Sequence, residues 1–231
     1  MEIGIFNERG IFVGVEGIDG SGTSTQVHEL AGRIEKFDKY QSVLKTHEPW
    51  RNKEIRIKLE TDRDAYSDPQ ETADLFVGDR TDHTYSLIKP NLLAGADVVC
   101  SRYKMSLVYQ WTQGVPLERL LKMHTNRGIL TPDKVYFLDV SRRTATERTV
   151  DRKRKEKFER DAGFIDKLID NYHRLLEMGL KDPKLFGEIV VIDGESSINK
   201  VADAIYRNFL PFYREFRGLE FSYSKILNLK D

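Results

Sequence analysis

The sequence is poor in the features that mark a secreted, metal-built or membrane protein. Its 231 residues include one cysteine, Cys100, which excludes an internal disulfide framework and a multi-cysteine zinc site. That cysteine lies in the apolar run DVVCS and reads as a small buried hydrophobe. No apolar stretch approaches the roughly 20 residues of a membrane span. The opening MEIGIFNERG has no basic region followed by a long apolar core, so no signal peptide is expected. An excess of charge of one sign is missing too: Lys plus Arg and Asp plus Glu both total 37. Nothing global therefore attracts a nucleic acid polymer or an anionic membrane. Internal repeats and low-complexity linkers are absent. What remains is a chain expected to be soluble and cytoplasmic, 39% hydrophobic, and long enough to bury a real core.

Five short apolar runs are present: GIFVGVEG, with a strand over Ile11 to Glu16, then SVLKTHEP, ADVVCS, DKVYFLDV and EIVVIDG. Helical spacing lies between them. STQVHELAGRIEKF places Val27, Leu30 and Ile34 on one face. DPQETADLFVGDRTDHTYSLIKPNLLAG predicts a long helix with Leu75, Asp79 and His83 on one face, breaking or bending at Pro90 and stopping near Gly95. INKVADAIYRNF is a final helix. Continuous apolar strands alternating with helices predict an α/β domain, a five-stranded parallel sheet covered on both faces. Ligands on such sheets bind outside the carboxyl ends of the strands. The segments GIDGSGTS, HEPWR, SRYKMS, SRRTATER and DGESS should therefore converge on one site.

The first of these nearly spells the phosphate loop G-x-x-x-x-G-K-[ST], with Gly17, Gly22 and Ser24 in place and Thr23 at the lysine position. Backbone N–H groups of a glycine-rich turn cradle phosphate oxygens, and the following helix adds its positive end. Neither needs the lysine. Ser24 keeps the hydroxyl that such a loop places on Mg²⁺; Thr23 removes a mobile positive charge. A glycine-rich turn with no ligand is the plain alternative.

Two further stretches carry weaker signals. In RTVDRKRKEKFER the cations Arg148, Arg152, Lys153, Arg154, Lys155, Lys157 and Arg160 crowd together. Such a run is ordinarily a solvated helix face. It follows the fourth strand by one helical segment, however, and a basic lid hung over the phosphate site would supply the charge that Thr23 lacks. In LFVGDRTDH, Phe76 and Arg80 lie four apart on one helical face. The ring can stack on a nucleobase and the guanidinium can donate to a base carbonyl. A core phenylalanine beside a surface arginine looks the same in sequence.

The segments EGIDGSG, STQ, EP, LFVGDR, IKPNLLAGADVV, SRY, YQ and PDKVYFLDVS occur in that order at natural spacings. Together they resemble the thymidylate kinase family of phosphate-loop nucleoside monophosphate kinases, over roughly residues 10 to 207. The resemblance implies a P-loop NTPase type fold, transfer of the ATP γ-phosphoryl group to dTMP to give dTDP, Mg²⁺ as the metal, and a homodimer. It implies that Gly17, Asp19, Gly20, Ser21, Gly22, Thr23, Ser24 and Thr25 surround the ATP phosphates, with Ser24 on the metal. Asp19 would also face the deoxyribose. Phe76 would stack on thymine, Arg80 would bond the base, and Ser106 and Gln110 would line the base and sugar pocket. Arg102 would bridge acceptor and donor phosphates, and either Arg51 or Arg56 would hold the monophosphate. Arg152 and Arg154, in a lid over about 148–160, would join Arg102 and Asp19 in catalysis. The kinase domain is expected over 1–210, with 211–231 an extension packed on it.

The departures from that pattern are specific. The loop lysine is Thr23, the aspartate of the family's DRY or DRH is Ser101, the arginine before EP is His47, and SLVYQ is one residue short of SxxAYQ. Losing the lysine alone would leave an extra negative charge facing ATP, whereas losing lysine and aspartate together leaves local charge unchanged. Thr23 and Ser101 therefore read as a coupled pair. Two other functions fit these departures: a kinase for a different nucleoside monophosphate, or a nucleotide-binding protein without catalysis.

Overall fold

The structure, a computed structural model, describes residues 9–150 and 157–219. Its frame is a five-stranded sheet: β1 (Phe12–Glu16), β2 (Val43–His47), β3 (Asp97–Ser101), β4 (Lys134–Asp139) and β5 (Glu188–Asp193). All pairings are parallel, in the order β2-β3-β1-β4-β5. The chain winds one way from β1 to β2 and β3 and the other way to β4 and β5. The carboxyl end of β1 is thus the switch point where such sheets bind ligands.

Strand side chains alternate between two cores. Val13, Val15, Val99, Tyr136 and Leu138 face the layer of α1 (Thr23–Phe37) and α9 (Ile198–Phe216). On the opposite face, Phe12, Val98 and Cys100 pack against α3 (Pro69–His83) and α4 (Lys89–Leu93). Val135 and Phe137 on that face meet α5 (Val108–Thr112) and α8 (Ala162–Lys181). Burial on both faces explains why β1, β3 and β4 are nearly continuous apolar runs. The edge strands β2 and β5 are only partly buried, and their sequences mix polar with apolar residues.

Helix ends follow side-chain chemistry. Asn52 caps α2 (Lys53–Thr61) by accepting from the N–H groups of Glu54 and Ile55. Ser141 caps α7 (Arg142–Thr149) and Asp161 caps α8 in the same way. The helix expected to break at Pro90 instead widens beforehand into a π turn over Thr84–Ile88, where the N–H of Lys89 reaches the carbonyl of Thr84. Pro90 then falls in the first turn of α4, where its missing N–H is tolerated. The last helical connection, α6 (Leu117–Asn126), lies between α5 and β4.

α9 runs through residue 210 to Phe216 with Pro211 inside it, and Phe209 and Tyr213 are both in the core. The first part of the expected extension is therefore the end of this helix. Arg217 beyond it donates to Asp97 at 2.5 Å and to the carbonyl of Arg9, while Arg9 makes a two-pronged pair with Asp133.

Candidate active site

The loop after β1 turns back on itself before α1 begins. Gly20 and Gly22 have φ of 84° and 99°, and a Cβ at Gly20 would lie 2.4 Å from the carbonyl oxygen of Ala145. Only glycine meets both demands at residue 20. Loop and helix start form one wall of a cavity of about 490 Å³, which also touches Thr25, Arg102, Arg148 and Ser196. The strand–glycine loop–helix expectation is met in full.

The side chain at the lysine position points inward. Thr23 is buried, and its Oγ1 accepts from the hydroxyl of Ser101 at 2.9 Å. Ser24 Oγ lies 3.3 Å from the same Ser101 hydroxyl. The two positions read as a coupled pair are in direct contact, and three hydroxyls stand where a lysine and an aspartate are expected. Arg148 is the described cation of the lid stretch on this cavity. Its guanidinium donates to the carbonyls of Ser21 at 3.3 Å and Gly194 at 2.8 Å, so it is anchored to the loop ends. Lys157 is turned away: its buried ammonium bonds Asp62 at 2.8 Å and the Ser67 hydroxyl at 2.7 Å. Arg152, Lys153, Arg154 and Lys155 lie outside the described residues.

Asp19 and Arg102 meet on the far side of the loop. Arg102, with a left-handed φ of 63°, donates from Nη2 to Asp19 Oδ1 at 2.6 Å. Tyr109 joins them: its hydroxyl accepts from Arg102 Nη1 at 2.7 Å and donates to Asp19 Oδ2 at 3.0 Å. Burial opposes the charge on Arg102, but Asp19 and the hydrogen bond to Tyr109 keep its pKa well above the ordinary value. Asp19 and Arg102 also line a second cavity, of about 170 Å³, with Pro49, Phe76, Arg80 and Ser106 on its walls.

Arg80 is 1% exposed. Its Nε donates to Glu48 Oε2 at 2.6 Å and its Nη1 to His124 Nε2 at 2.7 Å; its Nη2 is buried without a protein partner. The surface-arginine alternative is excluded. Ser106 gives its proton to Glu16 Oε2 at 2.9 Å, and Glu16 also accepts from the N–H groups of Tyr103 and Met105. Burial pushes the Glu16 carboxyl up in pKa, and the bonds from Ser106 and Tyr103 work against it. Gln110 is buried with its amide nitrogen unpartnered, and it does not line this cavity.

The two arginines after EP are not brought into either cavity. Arg51 stacks on Trp50 at 4.2 Å and is 4.0 Å from Asp82. Arg56 is exposed on α2, whose Ile55 and Leu59 face the core. The backbone of this segment is held firmly, because Asp79 accepts from the N–H groups of Trp50, Arg51 and Asn52. Sequence reasoning missed Glu16, Glu48, Tyr109, His124 and Phe158, which packs on Tyr109 and closes the second cavity. One signal was available: Glu16 is a carboxylate ending an otherwise apolar strand.

A parallel α/β fold with one cavity on the glycine loop and a second, of about 170 Å³, beside it, meeting at Asp19 and Arg102, fits the class of nucleoside monophosphate kinases. Comparison with known proteins narrows the class. The family model for thymidylate kinase matches residues 15–205. A probable thymidylate kinase of Thermococcus gammatolerans is 36% identical over 202 residues, covering 83% of this chain and 92% of that protein. One from Thermococcus kodakarensis is 34% identical, covering 84% and 95%. The thymidylate kinase of Exiguobacterium sibiricum is 28% identical, covering 89% and 97%. The chain belongs to the thymidylate kinase family.

Proposed function

We propose that this protein transfers the γ-phosphoryl group of ATP to dTMP, giving dTDP and ADP. The observation that carries the proposal is the shared wall. Asp19 and Arg102 line both cavities, so a donor phosphate chain on the loop and an acceptor phosphate in the second cavity meet at one guanidinium. Phosphoryl transfer needs positioning and charge stabilisation rather than covalent chemistry.

In this reading Gly17, Gly20, Ser21, Gly22, Thr23 and Thr25 form the phosphate cradle. Kinases of this family use Mg²⁺ with ATP. The exposed hydroxyl of Ser24, beside the cradle, suits an ion that takes one protein oxygen and completes its shell with phosphate and water. The metal would neutralise charge on the phosphates. Arg102 bridges the phosphates, and Arg152 and Arg154, in the basic stretch over 148–160, are the further cations assigned to catalysis. Arg51 and Arg56, both solvent-facing on the acceptor side, are the groups available to swing onto the monophosphate.

Base choice follows from donor and acceptor counting. Arg80 Nη2 can only donate, and Ser106, having given its proton to Glu16, offers a lone pair. A donor and an acceptor suit the C=O and N–H of a thymine edge, and with the Arg80 donor opposite the thymine O4 position they would face the amino group and bare nitrogen of cytosine. Phe76 supplies the stacking face, and Gln110 an amide donor behind it. A homodimer, a cytoplasmic location and a kinase unit over 1–210 complete the reading; no described helix is long and apolar enough to cross a membrane.

One observation favours a second reading. The hydroxyls of Thr23 and Ser101 are bonded to each other where a lysine and an aspartate would serve the metal–phosphate centre, as in a nucleotide-binding protein without turnover. Incubation with ATP, Mg²⁺ and each nucleoside monophosphate, followed by chromatography of the nucleotides, decides. dTDP formation in preference to other diphosphates is expected. Binding of both nucleotides without turnover establishes the second reading, and preference for dCMP or dGMP overturns the base assignment.

A further inference from the structure

We infer that His124 is a positioning residue for acceptor recognition, holding the Arg80 guanidinium so that its free Nη2 faces the nucleoside cavity. The inference rests on the proposed role of Arg80 in bonding the base.

His124 lies on α6, 1% exposed, and does not line the cavity. Its Nδ1 is 2.9 Å from the carbonyl oxygen of Leu120, one helical turn earlier. A carbonyl only accepts, so Nδ1 carries the proton. Its Nε2 is 2.7 Å from Arg80 Nη1. A guanidinium only donates, so Nε2 holds the lone pair. Both ring nitrogens thus have roles dictated by neighbours that cannot exchange them. Burial, and then the charge of Arg80, hold the imidazole pKa well below its ordinary value, in keeping with a neutral ring.

The geometry at Arg80 shows what this achieves. One anchor, Glu48 on Nε, leaves a planar guanidinium free to pivot about that bond. A second anchor on Nη1 fixes the plane. Glu48 bonds Arg80 through Oε2 alone, and its Oε1 lies 3.3 Å from His83 Nδ1, so the second anchor on the guanidinium comes from His124. With both anchors made, Nη2 is the nitrogen left without a protein partner, on a side chain that walls the cavity. A buried donor in that state is satisfied by a ligand oxygen, and its direction is set by His124.

The test is calorimetric titration of the full chain with dTMP and, separately, with ATP, which reads binding whether or not the enzyme turns over. His124→Leu removes the lone pair. His124→Asn keeps a donor for Leu120 but places no acceptor at Arg80, and serves where the leucine variant folds poorly. His124→Gln returns an oxygen near the place of Nε2. Loss of a bond to a charged group predicts a dTMP dissociation constant raised about 10- to 100-fold in the leucine and asparagine variants, with ATP affinity unchanged and the glutamine variant recovering most of the loss. Equal weakening in all three variants, or parallel losses for ATP, overturns the inference. Arg80→Ala separates it from its premise. If that variant weakens dTMP while the three His124 variants do not differ, only the His124 role falls. If Arg80→Ala leaves dTMP binding intact, the base-bonding role of Arg80 falls with it.

Discussion

Thr23→Lys and Ser101→Asp, made singly and together, should be strongly non-additive. Thr23 and Ser101 are 7% and 4% exposed, with their hydroxyls 2.9 Å apart. Ser101→Asp alone buries a carboxylate against the hydroxyls of Thr23 and Ser24; an unpaired buried charge costs about 3–5 kcal/mol. Thr23→Lys alone loses the Ser101 bond, about 1 kcal/mol, and adds an ammonium to a cavity already holding Arg102 and Arg148. Together the new charges attract by about 4 kcal/mol at 4 Å and an effective dielectric of about 20. Desolvation takes back part of this, leaving a coupling of about 2 kcal/mol. On kcat/KM for dTMP that is about 30-fold, and on thermal unfolding of a chain this size about 4–8 °C. Thr23→Lys alone should not raise the rate, since a new ammonium competes for the same phosphate oxygens and slows ADP release. Additivity within about 0.5 kcal/mol in both assays refutes the coupling. A large gain from Thr23→Lys alone refutes it differently, by showing an ordinary loop crippled by one substitution.

Phe76→Ala should raise the dTMP Michaelis constant about 10- to 100-fold, the scale of one lost base–aromatic stack, and leave that for ATP unchanged; equal effects on both would place Phe76 in folding instead. Neutralising Arg152, Lys153, Arg154 and Lys155 one at a time should expose at least one loss of about 10²–10³ in kcat, and an intact kcat throughout would make the run a solvated face. Burial pushes Asp62 up in pKa, but Lys157 and Ser67 outweigh it and hold the carboxyl down at about 2, below its ordinary 3.8. A depressed acid stabilises the fold above its unfolded pKa and loses that contribution as pH falls through the folded one. The stability difference between the natural protein and Lys157→Met should therefore be largest above about pH 4 and shrink towards pH 2, and a difference constant from pH 6 to pH 2 in denaturant titrations would contradict the pairing.

Most of the scaffold was legible because its signals are local. β1, β3 and β4 read as strands since burial on both faces demands unbroken apolar runs, and the glycine loop followed because φ at Gly20 and Gly22 admits little else. The π turn at Thr84–Ile88 was not legible: Pro90 announces a missing donor but not where the helix adjusts. Spacing put Phe76 and Arg80 on one helical face, and only the family resemblance gave them a role; the partners that give Arg80 its geometry come from the turn after β2 and from α6, and no spacing rule joins Glu48, Arg80 and His124. Lys157 was grouped with the lid because charge runs look uniform in sequence. Folding divides the run, sending Arg148 to the loop and Lys157 to Asp62.

If Arg102 bridges both phosphates as proposed, its contact with Asp19 makes the two cavities thermodynamically interdependent. Before either nucleotide arrives, the guanidinium is held by a carboxylate at 2.6 Å and a phenol at 2.7 Å. On that proposal an incoming phosphate would draw Arg102 partly from those partners, and the first nucleotide to bind would bear that cost. The second meets an arginine already released, so each substrate should tighten the other by the same factor, as linkage requires. Asp19→Asn weakens the hold on Arg102 and should diminish this synergy while strengthening the binding of each nucleotide alone. Calorimetric titration of dTMP with and without a non-hydrolysable ATP analogue measures the factor directly, and a factor of one in the natural protein would mean that Arg102 attends to a single ligand.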